Sequence, residues 1–330
     1  MDYQRPKKRI YITWDRYSSR SDSTAKFFDA KSYSIEAIKS PAILLVPLKY
    51  FLATVKTLTV LSRERPDVVF VQNPPTVAVL VVWLYCRIFG SEFIPDTHSG
   101  IFTGKRWSVF LGLNRFLGKR ALANIAHNDY FVCKIRQWGA KAVNLGSVPR
   151  QMKTDKSYHI RKGFSVVFPC SFYPDEPIEE VINAAKLLRD VNFYITGNLK
   201  RASTELFKTT PDNVVFTDFL PHEDYVALLK ACNVVMCLTT QDFTNQSGAY
   251  EAIAVGRPII VSNWPLLRDL YYRGVIHVDN THASIIRAIN EIRGNYSYFL
   301  DQIQILKEEG LALWAKNYAE LQNLLNKAEA

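Results

Sequence analysis

At 330 residues the chain is long enough for two domains of ordinary size. With 48% hydrophobic and 22% charged residues it is neither a disordered segment nor a coiled coil. Its five cysteines form no CxxC pair and have no histidine at metal spacing, which argues against a disulfide framework and for buried thiols in a cytosolic setting.

Charge is split unevenly. Residues 1–162 carry 27 Lys+Arg against 11 Asp+Glu, a net of +16, and residues 163–330 carry 14 against 20, a net of −6. This predicts two modules with different partners. The basic half suits an anionic lipid surface or a phosphorylated substrate. Nucleic acid is the least favoured partner, because no binding motif accompanies the charge. No secretory signal opens the sequence, since the basic start runs into a mixed strand. Residues 42–61 contain Pro47, Lys49 and Lys56, and the apolar run at 76–89 stops at Gly90, so neither reads as a membrane span. Residues 42–61 read as an amphipathic surface helix or a core helix of the first domain.

In chain order, residues 8–14 (KRIYITW) predict a strand, 15–24 a polar loop, and the segments to 65 helices. Val68–Val71 is a buried strand closed by Gln72-Asn73-Pro74-Pro75, and 76–89 the following helix. A strand at 91–94 runs into Asp96-Thr97-His98-Ser99-Gly100, followed by a helix at 108–121. A strand at 123–126, a helix at 129–138 and a strand at 142–145 complete a first domain, 1–150. Residues 151–163 read as a basic linker, and 164–330 as a second α/β domain with C-terminal helices. Its strands fall at 164–168, 192–195, 214–216, 234–238, 259–261 and 275–277, its helices at 178–189, 222–230 and 247–255, with a helical tail at 296–327. Alternating strands and helices indicate parallel βαβ units, whose ligands bind beyond the carboxyl ends of the strands.

The chemistry must fit that frame without the usual fingerprints. There is no GxGxxG, GxxxxGK[ST], DxD, GxSxG or HExxH. The most informative stretch is 238–263, loop, helix, Gly256 stop, strand. Ser247-Gly248 at the helix start exposes N–H groups beside the positive end of the helix dipole, which suits a phosphate, and Glu251 lies one turn inside. On these residues alone an ordinary capped helix is the favoured reading.

SGAYEAIAVGRPIIVSN resembles the donor-site helix and following strand of glycosyltransferase family 4, the nucleotide-sugar enzymes of the GT-B fold. VVFVQNPPTVAVLVVWLYCRIFGSEFIPDTHSG, CSFYPDEPIEEVINAAKLL, ITGN and HEDYVALLKACNVVMCL look, more narrowly, like the chitobiosyl-diphospho-lipid β-mannosyltransferase branch. The resemblance spans most of residues 66–270. It implies an α/β GT-B architecture, two Rossmann-like domains facing across a cleft. Glu251 would then accept hydrogen bonds from the ribose, and the N–H groups of Ser247, Gly248 and Ala249 would hold the diphosphate. Gly197-Asn198 would close the nucleotide pocket. His98 would lie near the transferred sugar or the acceptor hydroxyl. Two features depart from the family pattern. Phe243 stands where the E-x7-E signature has its first glutamate, with only Asp242 and Gln246 near it. The loop carrying Ser171 lacks a basic diphosphate ligand, a charge that Lys200, Arg201 or Arg257 would have to supply.

The resemblance implies transfer of a hexose from a UDP- or GDP-linked sugar, with no cofactor and no metal, to a lipid-linked saccharide or exopolysaccharide precursor. The protein would be peripheral on the cytoplasmic face of a membrane. The leaving phosphate would be met by N–H groups, a helix dipole and cations. His98 is the candidate base, with Asp96 its partner or, like Asp15, its alternative. The five other histidines, His127 included, read as structural or surface residues. Trp14, Arg16, Arg20 and Trp107, beside Arg106, are candidates for holding the acceptor. A nucleotide-sugar 2-epimerase of the same fold and a non-catalytic nucleotide-binding subunit are the competing readings.

Overall fold

The computed structural model describes residues 7–15, 19–36, 38, 45–146 and 152–329. It divides into two units, Met1–Val148 with Leu313–Ala330, and Pro149–Ala312.

The first unit contains β1 (Arg9–Thr13), α1 (Ser19–Phe27), β2 (Ala30–Ser34), α2 (Val46–Glu64), β3 (Val68–Asn73), α3 (Thr76–Phe89), β4 (Glu92–Thr97), α4 (Gly100–Thr103), α5 (Lys105–Ser108), α6 (Leu111–Gly118), β5 (Asn124–Ala126), α7 (Asp129–Gln137) and β6 (Ala142–Asn144). Its strands form one sheet in the order β2-β1-β3-β4-β5-β6, every pair parallel. The central strands are apolar throughout because both faces are covered. Ile10, Ile12, Val69 and Val71 pack with Ala53 and Leu61 of α2 and with Val79 and Val82 of α3. Tyr11, Phe70, Ile94 and Ile125 face the other side, against Phe28 and two leucines from the end of the chain, Leu321 and Leu325. Those leucines belong to α14 (Tyr296–Glu329), whose residues from Leu313 onward group with the first unit, whereas the sequence reading placed 164–330 entirely in the second domain.

α1 and β2 replace the predicted loop and helix. α1 (SRSDSTAKF) is mostly polar, with only Ala25 and Phe27 apolar and no stripe to betray it, and β2 (AKSYS) is a short half-exposed edge strand whose only aromatic is Tyr33.

The second unit contains β7 (Phe164–Pro169), α8 (Ile178–Leu187), β8 (Val191–Thr196), α9 (Thr204–Lys208), β9 (Val214–Asp218), α10 (His222–Ala231), β10 (Val234–Cys237), α11 (Ser247–Val255), β11 (Ile259–Ser262), α12 (Pro265–Leu270), β12 (Val275–Val278), α13 (His282–Gly294) and the start of α14. The sheet runs β12-β11-β10-β7-β8-β9, again parallel. Val166, Phe168 and Ile195 pack on Val181 of α8 and Ile285 and Ile289 of α13. Val167, Val235 and Val261 pack on Val226 of α10 and Ala249 and Ala252 of α11. The predicted linker is part of this unit: Met152 is buried in its core, and the Arg161 N–H donates to Tyr194 Oη at 2.8 Å. Two parallel sheets, each wrapped by helices, make this the predicted GT-B arrangement of Rossmann-like domains. Among the described residues no helix is long and apolar enough to cross a membrane.

Candidate active site

In the second unit the strand order reverses at β7, which pairs with both β8 and β10. A crevice at the carboxyl ends of β7 and β10 is where an open parallel sheet binds ligands. The loops leaving these two strands are tied together. Thr240 N–H donates to Asp175 O at 2.7 Å, and Thr239 Oγ1 donates to Asp175 Oδ2 at 3.0 Å. The N-terminus of α11 is seated on them because residue 248 has no side chain. A Cβ on Gly248 would lie 2.8 Å from Cys237 Sγ and 3.3 Å from Pro169. Gly197 makes the matching approach from β8, at φ +148°, where a Cβ would fall 1.8 Å from Cys170 O. Both glycines are required by close backbone approach.

The residues predicted to bind the donor divide accordingly. Ser171, Gly197, Gly248 and Ala249 converge on the β7–β10 end, and the N–H groups of Ser247 and Gly248 meet no acceptor among the described residues. Ala249 N–H is spent on Gln246 O at 3.2 Å, contrary to its predicted phosphate role. Gln246 anchors the loop through Nε2 to Leu238 O at 2.7 Å, while its Oε1 is buried with no partner among the described residues. Glu251 Oε2 accepts from Tyr225 Oη of α10 at 2.6 Å. The Ser171 loop is braced by an acid. Glu176 Oε2 accepts from Ser171 N–H and Tyr173 N–H at 2.8 and 3.0 Å, and burial raises its carboxyl despite those bonds. Asn198 caps the turn holding Lys200 and Arg201, and Arg201 lies over the Tyr173 ring at 5.1 Å, so its charge reaches back to the loop that lacks one. Arg257 does not take that part. It follows the Gly256 stop, about 13 Å of helix from the α11 N-terminus, and bonds Lys230 O and Tyr296 Oη. Phe243 takes a left-handed backbone (φ +59°), its N–H held by Asp242 Oδ1 at 2.6 Å.

In the first unit the site gathers where β4 and β5 end. Asp96 pairs with Ile125 across the strands, so His98 and His127, each two residues further on, emerge side by side. Their rings are 4.4 Å apart at 71°. Asp96 is fully buried beneath them. Its Oδ2 accepts from Tyr11 Oη at 2.8 Å and Arg20 Nε at 3.2 Å, and its Oδ1 from Arg20 Nη2 at 3.3 Å. Burial alone would raise this carboxyl, but the Arg20 guanidinium and the two imidazoles outweigh it and hold it well below the usual range. His98 Nε2 lies 3.9 Å from Asp96 Oδ2, and His127 Nε2 3.9 Å from Oδ1. Both Nε2 atoms are sealed from solvent without a hydrogen-bond partner among the described residues, although each ring is about a quarter exposed. Burial, then the charges of Arg20 and His98, push the His127 imidazole well below its ordinary value.

His127, read from the sequence as a structural or surface residue, joins this cluster. It directly follows a predicted strand, as His98 nearly does, and that shared position was the available signal. The predicted acceptor residues fare differently. Arg20 serves Asp96 and also donates to Leu145 O and Gly146 O. Trp14 is a packing residue, its Nε1 donating to Thr57 Oγ1 at 2.8 Å and its ring tilted on Tyr50. Trp107 is half-buried on α5 beside Phe110. Arg16 lies outside the described residues.

Residues 163–295 match the family model for glycosyl transferases group 1. The protein is a glycosyltransferase. No curated protein matches the sequence. Among solved structures it is similar to a sucrose-phosphate synthase from Thermosynechococcus elongatus, at 14% identity and TM-score 0.72 over 97% of this chain and 88% of that one. Anabaena HepE in complex with UDP and glucose aligns at 13% and 0.69, over 96% and 100%. The UDP-GlcNAc 2-epimerase from Neisseria meningitidis bound to UDP-GlcNAc aligns at 14% and 0.62, over 97% and 100%. At these identities the likeness concerns the fold, which transferases and epimerases share.

Proposed function

We propose that this glycosyltransferase moves a hexose from a UDP- or GDP-linked sugar to a lipid-linked saccharide or exopolysaccharide precursor, at the cytoplasmic face of a membrane and without a metal or cofactor. The observation that carries the donor half is the seating of the α11 N-terminus, through Gly248, on the β7–β10 switch, with Glu251 one turn inside. The diphosphate lies at the Ser247 and Gly248 N–H groups, Arg201 adds charge, and Glu251 accepts from the ribose. The complexes of similar structures with UDP and a UDP-sugar support a uridine donor, while the QNPP and DTHSG loops support a β-mannosyltransferase-like branch. Metal independence rests on the missing DxD and on the N–H groups available to the leaving phosphate. His98 takes the acceptor proton, beside the Asp96 carboxylate that stabilises the resulting imidazolium. Glu251→Ala is expected to weaken nucleotide-sugar binding by roughly 10- to 100-fold, the range for a bond to a charged acceptor, with the melting temperature unchanged. Equal affinity of variant and wild type for every donor in a calorimetric titration would remove Glu251 from the site.

The acceptor half rests on α2. Ala53, Thr57 and Leu61 face the sheet, while Leu48, Phe51, Val55 and Leu58 form an exposed apolar stripe on the opposite side, flanked by Lys49, Lys56 and Arg63. Such a helix lies in a headgroup layer with its apolar side down and its cations on anionic lipid. Wild type is expected to sediment with phosphatidylglycerol-rich vesicles, and Phe51→Asp/Val55→Asp to stay in the supernatant. Equal sedimentation of the two would put the membrane contact elsewhere.

A further inference from the structure

Glu251 does not face the donor crevice alone. Its Oε2 accepts from Tyr225 Oη at 2.6 Å, the length of a hydroxyl bond to a charged acceptor. The bond crosses from α10 to α11, and in a parallel sheet both helices begin at the carboxyl ends of the strands they follow. Tyr225 in the first turn of α10 thus meets Glu251 one turn inside α11, at the rim where ligands bind. The tyrosine is itself well seated. Val226 and Leu229 beside it on α10 are buried in the core under the sheet, and the Tyr225 ring packs partly buried against that same core. Its hydroxyl is therefore a fixed donor. The glutamate has a longer side chain, and α11 (SGAYEAIAV) carries no cation to draw the carboxylate along its own helix.

A tyrosine on such a carboxylate could serve as a brace between two helices or as a guide for the ligand. The chemistry of the pair favours the guide. A carboxylate has about four acceptor sites, so one phenol leaves room for the two hydroxyls of a ribose. Immobilising a long side chain on binding costs up to roughly tenfold in affinity, and a carboxylate already held by Tyr225 avoids that cost. We propose that Tyr225 is a positioning residue for the donor: through Glu251 it presents a preset carboxylate to the 2′- and 3′-hydroxyls of the nucleotide, so that the site selects ribonucleotide over deoxyribonucleotide donors. The inference rests on the reading of Glu251 above, and adds the group that aims the carboxylate and the selectivity that follows. A site built to bond a hydroxyl rejects the analogue that lacks it, and does so most strongly when the acceptor is held in place.

The test sets wild type and Tyr225→Phe against UDP and 2′,3′-dideoxy-UDP in calorimetric titrations, with GDP and its dideoxy form run in the same way. Phenylalanine keeps the ring and its packing and removes the hydroxyl alone. Tyr225→Phe should lower affinity for the ribonucleotide roughly 3- to 10-fold and leave affinity for the dideoxy form within twofold. Added to Glu251→Ala, the same change should cost no more than twofold, because the hydroxyl then has no carboxylate to aim. An equal loss for both nucleotides would make Tyr225 a brace, and a gain in ribonucleotide affinity would make it a plug over Glu251. Losses that multiply in the double variant would separate the two residues. Each of these results would overturn the proposal. A wild type that binds neither ribonucleotide, or that binds ribose and dideoxyribose forms equally, would sink the ribose role of Glu251 and this proposal together. Wild-type selectivity that Tyr225→Phe keeps in full would sink the proposal alone.

Discussion

Replacing His98 with alanine is expected to lower sugar transfer by about 10²–10⁴-fold, the usual contribution of a positioned general base. Donor affinity should stay within twofold, because His98 stands in the first unit while Glu251 and the α11 N-terminus are in the second. The fold should tolerate the change. The imidazole is partly exposed and its Nε2 has no hydrogen-bond partner among the described residues, so its removal strands none of them. What is lost is the acceptor of the hydroxyl proton, and the deficit should appear in kcat/KM for the acceptor. Single-turnover kinetics with saturating donor provide the check. Full turnover in the variant would remove His98 from the chemistry and leave the Asp96 cluster a structural one.

Arg20→Met is expected to be the most destabilising single change in the first unit, by about 3–5 kcal/mol, because it leaves a buried carboxylate without its counter-charge. Asp96 has no exposed surface, and among the described residues Tyr11 is the one remaining group within hydrogen-bond distance of it. The sign with pH follows from the shift. In wild type the Asp96 carboxyl titrates below its unfolded value of about 3.9. Its contribution is therefore present above that value and is lost as pH falls through the folded value. In Arg20→Met, burial loses its largest opponent and only the two imidazoles still act against it, so the carboxyl rises, and the deficit should be largest near neutrality and should shrink as acid protonates Asp96. Urea unfolding at a series of pH values reads this directly. A deficit independent of pH would assign the loss to packing.

Much of this architecture was legible in the residues. The buried runs VVFV and SVVF, the helix of 76–89 with its Gly90 stop, and the helix of 247–255 with its Gly256 stop all carry strong local signals, and all form as read. α1 and β2 were not legible because neither presents an apolar face of its own. α13 was missed although Ile285, Ala288, Ile289 and Ile292 give it a helical stripe and Thr281 with Ser284 a capping box. The candidate site was legible at its strand ends and not in its pairings. That Arg20 serves Asp96, 76 residues away, and that Trp14 bonds Thr57 are settled by tertiary packing. The meeting of His98 and His127 depends on the β4–β5 register, which no local pattern encodes. Leu321 and Leu325, one turn apart on α14, showed a buried face without showing which sheet it would cover.

The most direct test of the central claim follows the sugar. Purified protein is incubated with a nucleotide sugar labelled in its hexose and with vesicles carrying extracted lipid-linked saccharides. The label should move to the organic phase, with one nucleoside diphosphate released per hexose transferred and none of the hexose epimerised. Label that stays in water as a 2-epimer, with free nucleotide released in the absence of vesicles, would contradict transfer and make this chain an epimerase.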